Sequence, residues 1–121
     1  MSKARIIIGK WGEKKAAEYL TTCGYTIENV NFRCSLGEID IIGWDKDTLV
    51  FVEVKTRKTD TFGDARESIN YSKRRKISRV ALYYMKMNHI RDVNCRFDVI
   101  TITKNDHIME INLYKDAFQF I

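Results

Sequence analysis

The chain has 121 residues, 45% of them apolar and 31% charged, with a formal net charge of +5. That length suits a single domain spanning 1–121 with a core that needs no staples, and the composition excludes a disordered or collagen-like chain. Ile6-Ile7-Ile8 is too short for a signal-peptide core or a membrane span, so the chain reads as soluble and cytoplasmic with no membrane partner.

Gly9 to Thr22 reads as a first helix, with Ala16, Ala17 and Leu20 on one apolar stripe and Cys23-Gly24 closing it. Tyr25 to Arg33 follows as a strand of imperfect alternation, anchored by Ile27 and Val30. Gly37–Trp44, a polar turn at Asp45-Lys46-Asp47, and Thr48–Lys55 form a β-hairpin. Residues 56–69 are polar and read as a loop containing Phe62-Gly63. Asn70 is a good N-cap for a second helix over Tyr71–Asn88, whose apolar stripe is Ile77, Val80, Ala81 and Tyr84. Arg96–Thr103 and Ile108–Tyr114 are the last strands, joined by a turn at Asn105-Asp106, and Ala117, Phe118 and Phe120 are expected to dock on the core. The order αβββαββ makes a mixed β-sheet flanked by helices the economical α/β architecture. Cys23, Cys34 and Cys95 form no CxxC pair, and with two histidines in the chain neither a disulfide framework nor a structural zinc site is expected.

Charge is unevenly placed. Residues 1–20 carry a net +3, residues 21–54 a net −4 and residues 55–79 a net +6. An acidic block between basic ones suits a nuclease, which needs carboxylates for a metal and cations for phosphates. From charge alone, a chance alternation of solvated faces is the commoner explanation.

The acidic block holds the pattern that carries chemistry. Alternation puts Glu38 and Asp40 on one face of the second strand, and Glu53 and Lys55 on one face of the third. Pairing the two strands can bring Asp40 beside Glu53 and Lys55. Two carboxylates this close repel unless a cation lies between them, and a hard divalent ion such as Mg²⁺ suits oxygen ligands. Such an ion polarises a phosphodiester and activates water, while a neighbouring lysine stabilises developing negative charge. The alternative is a hairpin edge with exposed ion pairs, worth about 0–1 kcal/mol each. Glu13 falls within the first helix's apolar stripe, where a carboxylate is costly unless paired or bound to metal; a frayed, exposed helix start would relieve it. Lys73 shares the inner face of the second helix with Ile77, Val80 and Ala81, either aimed at the hairpin or snorkelling to solvent.

These residues resemble a known family. Gly9-Lys10-Trp11-Gly12-Glu13, Gly24-Tyr25, Asn31-Phe32-Arg33, Gly37-Glu38-Ile39-Asp40, Phe51-Val52-Glu53-Val54-Lys55 with Arg57, Lys73, Arg96-Phe97-Asp98 and Ala117-Phe118 run in the order found in the YraN-like family of predicted endonucleases. That family has the restriction-endonuclease-like PD-(D/E)xK fold and is similar to archaeal Holliday-junction resolvases. The resemblance implies Asp40 and Glu53 as ligands of Mg²⁺ or Mn²⁺ with the Val54 carbonyl as a third, Lys55 as catalytic lysine, and Glu13 as an added carboxylate. It implies DNA as partner, with a homodimer as one assembly by analogy to the resolvases. Tyr71-Ser72 stands where relatives often have Pro-Arg, removing one cation near the implied groove.

The first expectation is therefore a metal-dependent endonuclease acting on DNA, including branched or damaged DNA. Lys10, Arg57, Lys73, Arg74 and Lys76, with Lys3, Arg5, Lys14 and Lys15, are candidate phosphate contacts, and Trp11, Phe62 or Tyr71 candidate base-stacking residues, although core or loop packing is the commoner role for each. A non-catalytic nucleic-acid-binding adaptor of the same fold is the alternative. An RNA substrate ranks lower for want of an RNA-recognition motif.

Overall fold

The computed structural model describes residues 3–57, 69–104 and 107–121, the side chains of 4–6 excepted. The loop expected over 56–69, with Phe62-Gly63, lies almost wholly outside them, as do the Asn105-Asp106 turn and the Arg5 side chain. The elements are α1 (Lys3–Thr22), β1 (Thr26–Cys34), β2 (Gly37–Asp45), β3 (Thr48–Arg57), α2 (Tyr71–Met87), β4 (Asn94–Lys104) and β5 (Met109–Phe118). This is the expected mixed sheet in the expected order.

Local chemistry sets the boundaries. Gly24, at φ 96°, ends α1, and the Tyr25 N–H returns to the Leu20 carbonyl at 2.9 Å. The Asn70 side chain accepts the Lys73 N–H at 2.9 Å and starts α2 as expected. α1 begins six residues earlier than the periodicity indicates, because consecutive isoleucines conceal a helical stripe. β5 reaches Phe118, so Ala117 and Phe118 belong to the strand rather than to a tail. Phe118 stacks on Phe97 at 4.8 Å between centroids, and Phe120 meets the same ring edge-on at 4.5 Å.

The sheet order is β1-β2-β3-β4-β5, antiparallel except for the parallel pair β3–β4 that the α2 crossover creates. One face packs Ile77, Val80, Ala81 and Tyr84 of α2 against Ile42, Leu49, Phe51, Phe97 and Val99. The other packs Ala16 and Leu20 of α1 against Ile41, Val50, Val52, Ile100 and Ile102. The middle strands are buried on both faces, which is why β3 and β4 read as nearly continuous apolar runs. Val30, expected as an anchor of β1, is instead 45% exposed. β1 is an edge strand, and Asn31 beside Val30 takes φ 60°, which breaks the alternation.

Candidate functional site

The hairpin opens where its chemistry begins. Antiparallel pairing of β2 and β3 runs from Asp45↔Thr48 to Ile41↔Val52 and stops. One step further, the Asp40 carboxylate replaces the missing main-chain acceptor and takes the Val54 N–H at 2.7 Å. The two strands part around this side chain. Ile39 and Ile41, which strict alternation would place on one face, pack into opposite layers. In a strand the N–H and C=O of one residue point to the same side, so the Val54 carbonyl faces the same opened edge.

Glu53 lies beside Asp40 and is 8% exposed. The Asp40 carboxyl is raised to about 8 by burial and then by the Glu53 charge, with the Val54 N–H opposing; the two carboxyls are close enough to hydrogen-bond through a shared proton. Lys73 reaches in from the first turn of α2 and pairs with Glu53 Oε1 at 2.5 Å, while Lys55 Nζ is 3.8 Å from the same oxygen. Burial and the neighbouring Lys73 lower Lys55, whereas Lys73, although burial works against its charge, is raised by its bond to Glu53. The helix thus delivers a second lysine to the carboxylate pair, and Lys73 is aimed inward rather than snorkelling.

Glu13 comes from the opposite layer. It is half-buried, and burial and the charges of Glu38 and Glu53 raise it, against Arg33 and Lys10. Gly12 brings α1 this close: a Cβ there would overlap Thr56 Oγ1. Glu38 sits at the cleft mouth, paired with Arg33 at 3.2 Å. A cleft of about 660 Å³ runs from Asp40 and Glu53 past Lys73 and Lys76 to Arg33 and Glu38. Glycine is required at Gly37 in its wall, where φ is 144° and α2 lies close behind.

The expected phosphate contacts divide. Lys73 and Lys76 line the cleft, and Lys10 lines a groove between α1 and β1 with Glu13. Arg57 lies farther along, at the end of β3. Arg74 is not among the cleft-lining residues; it donates to the Ile69 carbonyl at 2.8 Å and lies over the Phe118 ring. Lys3 and Lys14 are exposed, and Lys15 pairs with Glu18 at 3.7 Å. Tyr71 is 65% exposed.

A second polar cluster joins Tyr25, Arg96 and Asp98, residues that the family pattern includes but to which the sequence assigned no role. Asp98 is fully buried and accepts from Tyr25 Oη at 2.8 Å, Arg96 Nε at 2.8 Å and the Asp116 N–H at 3.0 Å. Arg96 also reaches Asp45 at 2.9 Å, so the hairpin turn is tied to β4. Arg96 and Asp98 at i and i+2 within an apolar strand were the available signal, since they share a face.

Among the described residues, no group of three or more His, Cys, Asp and Glu side chains gathers as ligands. The donor set is smaller: two repelling carboxylates and a main-chain oxygen. That fits Mg²⁺ or Mn²⁺, which keep several waters and need few protein ligands, and does not fit zinc.

Fold and cluster together define a small mixed-sheet α/β protein with an acid and lysine centre where two strands part. The model of "Uncharacterised protein family UPF0102" matches residues 12–102, and the chain belongs to that family, which is the YraN family expected from the sequence. Similar chains, each called a UPF0102 protein, occur in Syntrophus aciditrophicus, 43% identical over 92% of this chain and 87% of the relative. Another in Clostridium acetobutylicum is 47% identical over 92% and 93%, and one in Thermodesulfovibrio yellowstonii is 49% identical over 87% and 95%. Among the described residues no helix is long and apolar enough to cross a membrane.

Proposed function

We propose that this protein is a Mg²⁺- or Mn²⁺-dependent endonuclease that hydrolyses DNA phosphodiesters. The observation that carries this reading is the parting of β2 and β3 at Asp40, which sets Asp40, Glu53 and the Val54 main chain around one point with two lysines alongside. A purely structural hairpin would keep its ladder and expose its charges.

Asp40, Glu53 and the Val54 carbonyl would hold the ion. When bound it supplies Lewis-acid polarisation of the phosphate and a more acidic water. The Val54 N–H fixes the Asp40 carboxylate so that its other oxygen is free to serve as a ligand. Lys55 stabilises negative charge developing on the phosphate and orients the attacking water. Burial and the neighbouring Lys73 lower its affinity for the proton. Lys73 balances the charge of Glu53 and, with an ion bound there, would be available to a phosphate oxygen. Glu13 closes the far side of the centre, and Lys76 and Arg33 take flanking phosphates along the cleft.

The test is cleavage of labelled single-stranded, duplex, flap and four-way-junction DNA with Mn²⁺ or Mg²⁺. Cleavage of at least one substrate is expected, abolished by Asp40→Asn and by EDTA. No cleavage of any of them overturns the reading. The adaptor reading gains from the Lys73–Glu53 pair, which already balances one carboxylate without metal. It predicts DNA binding that persists unchanged in EDTA with no cleavage under either ion.

A further inference from the structure

Beyond the acid and lysine centre, at the start of α1, lies a cavity of about 500 Å³ lined by Ile7, Ile8, Trp11, Thr56, Arg57 and Lys104. Among the described residues its walls are largely apolar and its lining charges are Arg57 and Lys104, with no acidic residue. Helical spacing sets Ile7 and Ile8 four and three residues before Trp11, so the three cluster on one side of α1. Ile7 is 66% and Ile8 52% exposed. Trp11 packs against the inner α1 cluster and still lines this cavity. The Lys104 ammonium stands 4.7 Å from the Trp11 ring centroid. The ammonium covers an electron-rich ring face, and because Lys104 is itself exposed a stacking ligand can displace it. A groove of about 310 Å³, lined by Ile8, Gly9, Glu13, Val54, Lys55 and Thr56, joins the cavity to the catalytic lysine.

We propose that this cavity is a stacking subsite for an unpaired nucleobase next to the phosphate held at Asp40 and Glu53. The inference rests on reading the cleft as a nucleic-acid site and names the substrate class: strands with an unstacked base near the cut. A nucleic-acid strand alternates planar apolar bases with anionic phosphates. The cavity presents the complement, an aromatic face and two isoleucines flanked by two cations. A base takes the Trp11 face, and the displaced, exposed Lys104 moves onto the adjoining phosphate. A base paired inside a duplex shows only its edge to a protein and cannot reach this face, so single strands, flaps and junction arms are favoured. A second copy of the chain suits the patch less well. A twofold contact here would set Arg57 and Lys104 against their own counterparts.

The experiment is fluorescence titration in EDTA. The chain has two tryptophans, so Trp44→Phe leaves Trp11 as the sole indole reporter. The probes are single-stranded oligothymidylate and a strand of equal length made wholly of abasic sites. Oligothymidylate is expected to quench Trp11 and the abasic strand to leave it bright. Trp11→Ala should weaken oligothymidylate binding about 5- to 150-fold, the loss of one stacked base, without changing abasic binding. Equal quenching by both strands, or by neither, overturns the proposal. So does a concentration-dependent dimer, seen by sedimentation, in which Trp11 is already shielded from acrylamide. The quenching arm needs no substitution at Trp11, so it decides even if Trp11→Ala does not fold. Neither arm requires cleavage: base-dependent quenching without hydrolysis leaves the subsite and removes the nuclease, and hydrolysis with base-independent binding does the reverse.

Discussion

Asp40→Asn keeps an oxygen for the Val54 N–H and removes the negative charge that repels Glu53. In the metal-free protein the wild-type carboxyl is raised from its ordinary 3.8 to about 8, by burial first and Glu53 second. The folded state therefore binds more protons than the unfolded state between those values, and stability falls as pH rises through the window. Forcing ionisation costs about 1.4 kcal/mol per pH unit, which sets an upper bound near 5 kcal/mol at pH 8. Water entering the open cleft and relaxation of Lys73 reduce that to roughly 2–3 kcal/mol, as effective interior dielectrics are well above those of dry protein. The assay is urea denaturation in EDTA at pH 5, 6.5 and 8. The wild type should lose stability with rising pH, and Asp40→Asn should show a flatter profile and be the more stable at pH 8. Adding Mn²⁺ should restore the wild type and leave the variant unchanged. Parallel pH profiles for the two proteins would refute the argument that Asp40 and Glu53 are repelling neighbours. Equal stabilisation of both by Mn²⁺ would refute the ligand assignment.

Two further predictions concern the scaffold. Arg96→Met removes the counter-ion of the fully buried Asp98 carboxylate and should cost about 3–5 kcal/mol; a loss under 1 kcal/mol in urea denaturation would remove the network's role. Gly12→Ala overlaps Thr56 Oγ1 and should cost about 1–3 kcal/mol, most of it recovered in the double variant with Thr56→Ala. Additive losses in that thermal-denaturation cycle would mean that α1 does not lean on β3 at this point.

Much of this arrangement was legible beforehand because it is local. Asn70 is placed to accept the Lys73 N–H whatever the tertiary context, and the Asp45-Lys46-Asp47 turn dictates that β2 and β3 form a hairpin. A hairpin of that register brings Asp40 near Glu53. Glu13 and Lys73 were visible as charges on apolar helix faces, which is a local periodicity. Other features had no local signal. Strict alternation offers no hint that β2 leaves β3 at Asp40, since the break is stabilised by an N–H fourteen residues away. The exposure of Val30 follows from β1 being an edge, which depends on the order of all five strands. Arg74 looked equivalent to Lys73 and Lys76 until the fold put Phe118 and the Ile69 carbonyl beside it.

Residue order and spacing alone decided the seven elements, their caps, the apolar faces and the identity of the charged groups able to do chemistry. These follow from backbone stereochemistry and from side-chain periods of two and 3.6 residues, which operate within a few positions. The tertiary structure decided which charges meet. It carried Lys73 from α2 to Glu53, leaned Glu13 against the hairpin through Gly12, buried Asp98 between Tyr25 and Arg96, and placed Lys104 over Trp11. Those contacts join residues tens of positions apart, and their energies depend on burial and on the separation of charges. Both quantities exist only once two helices have closed over the two faces of one sheet.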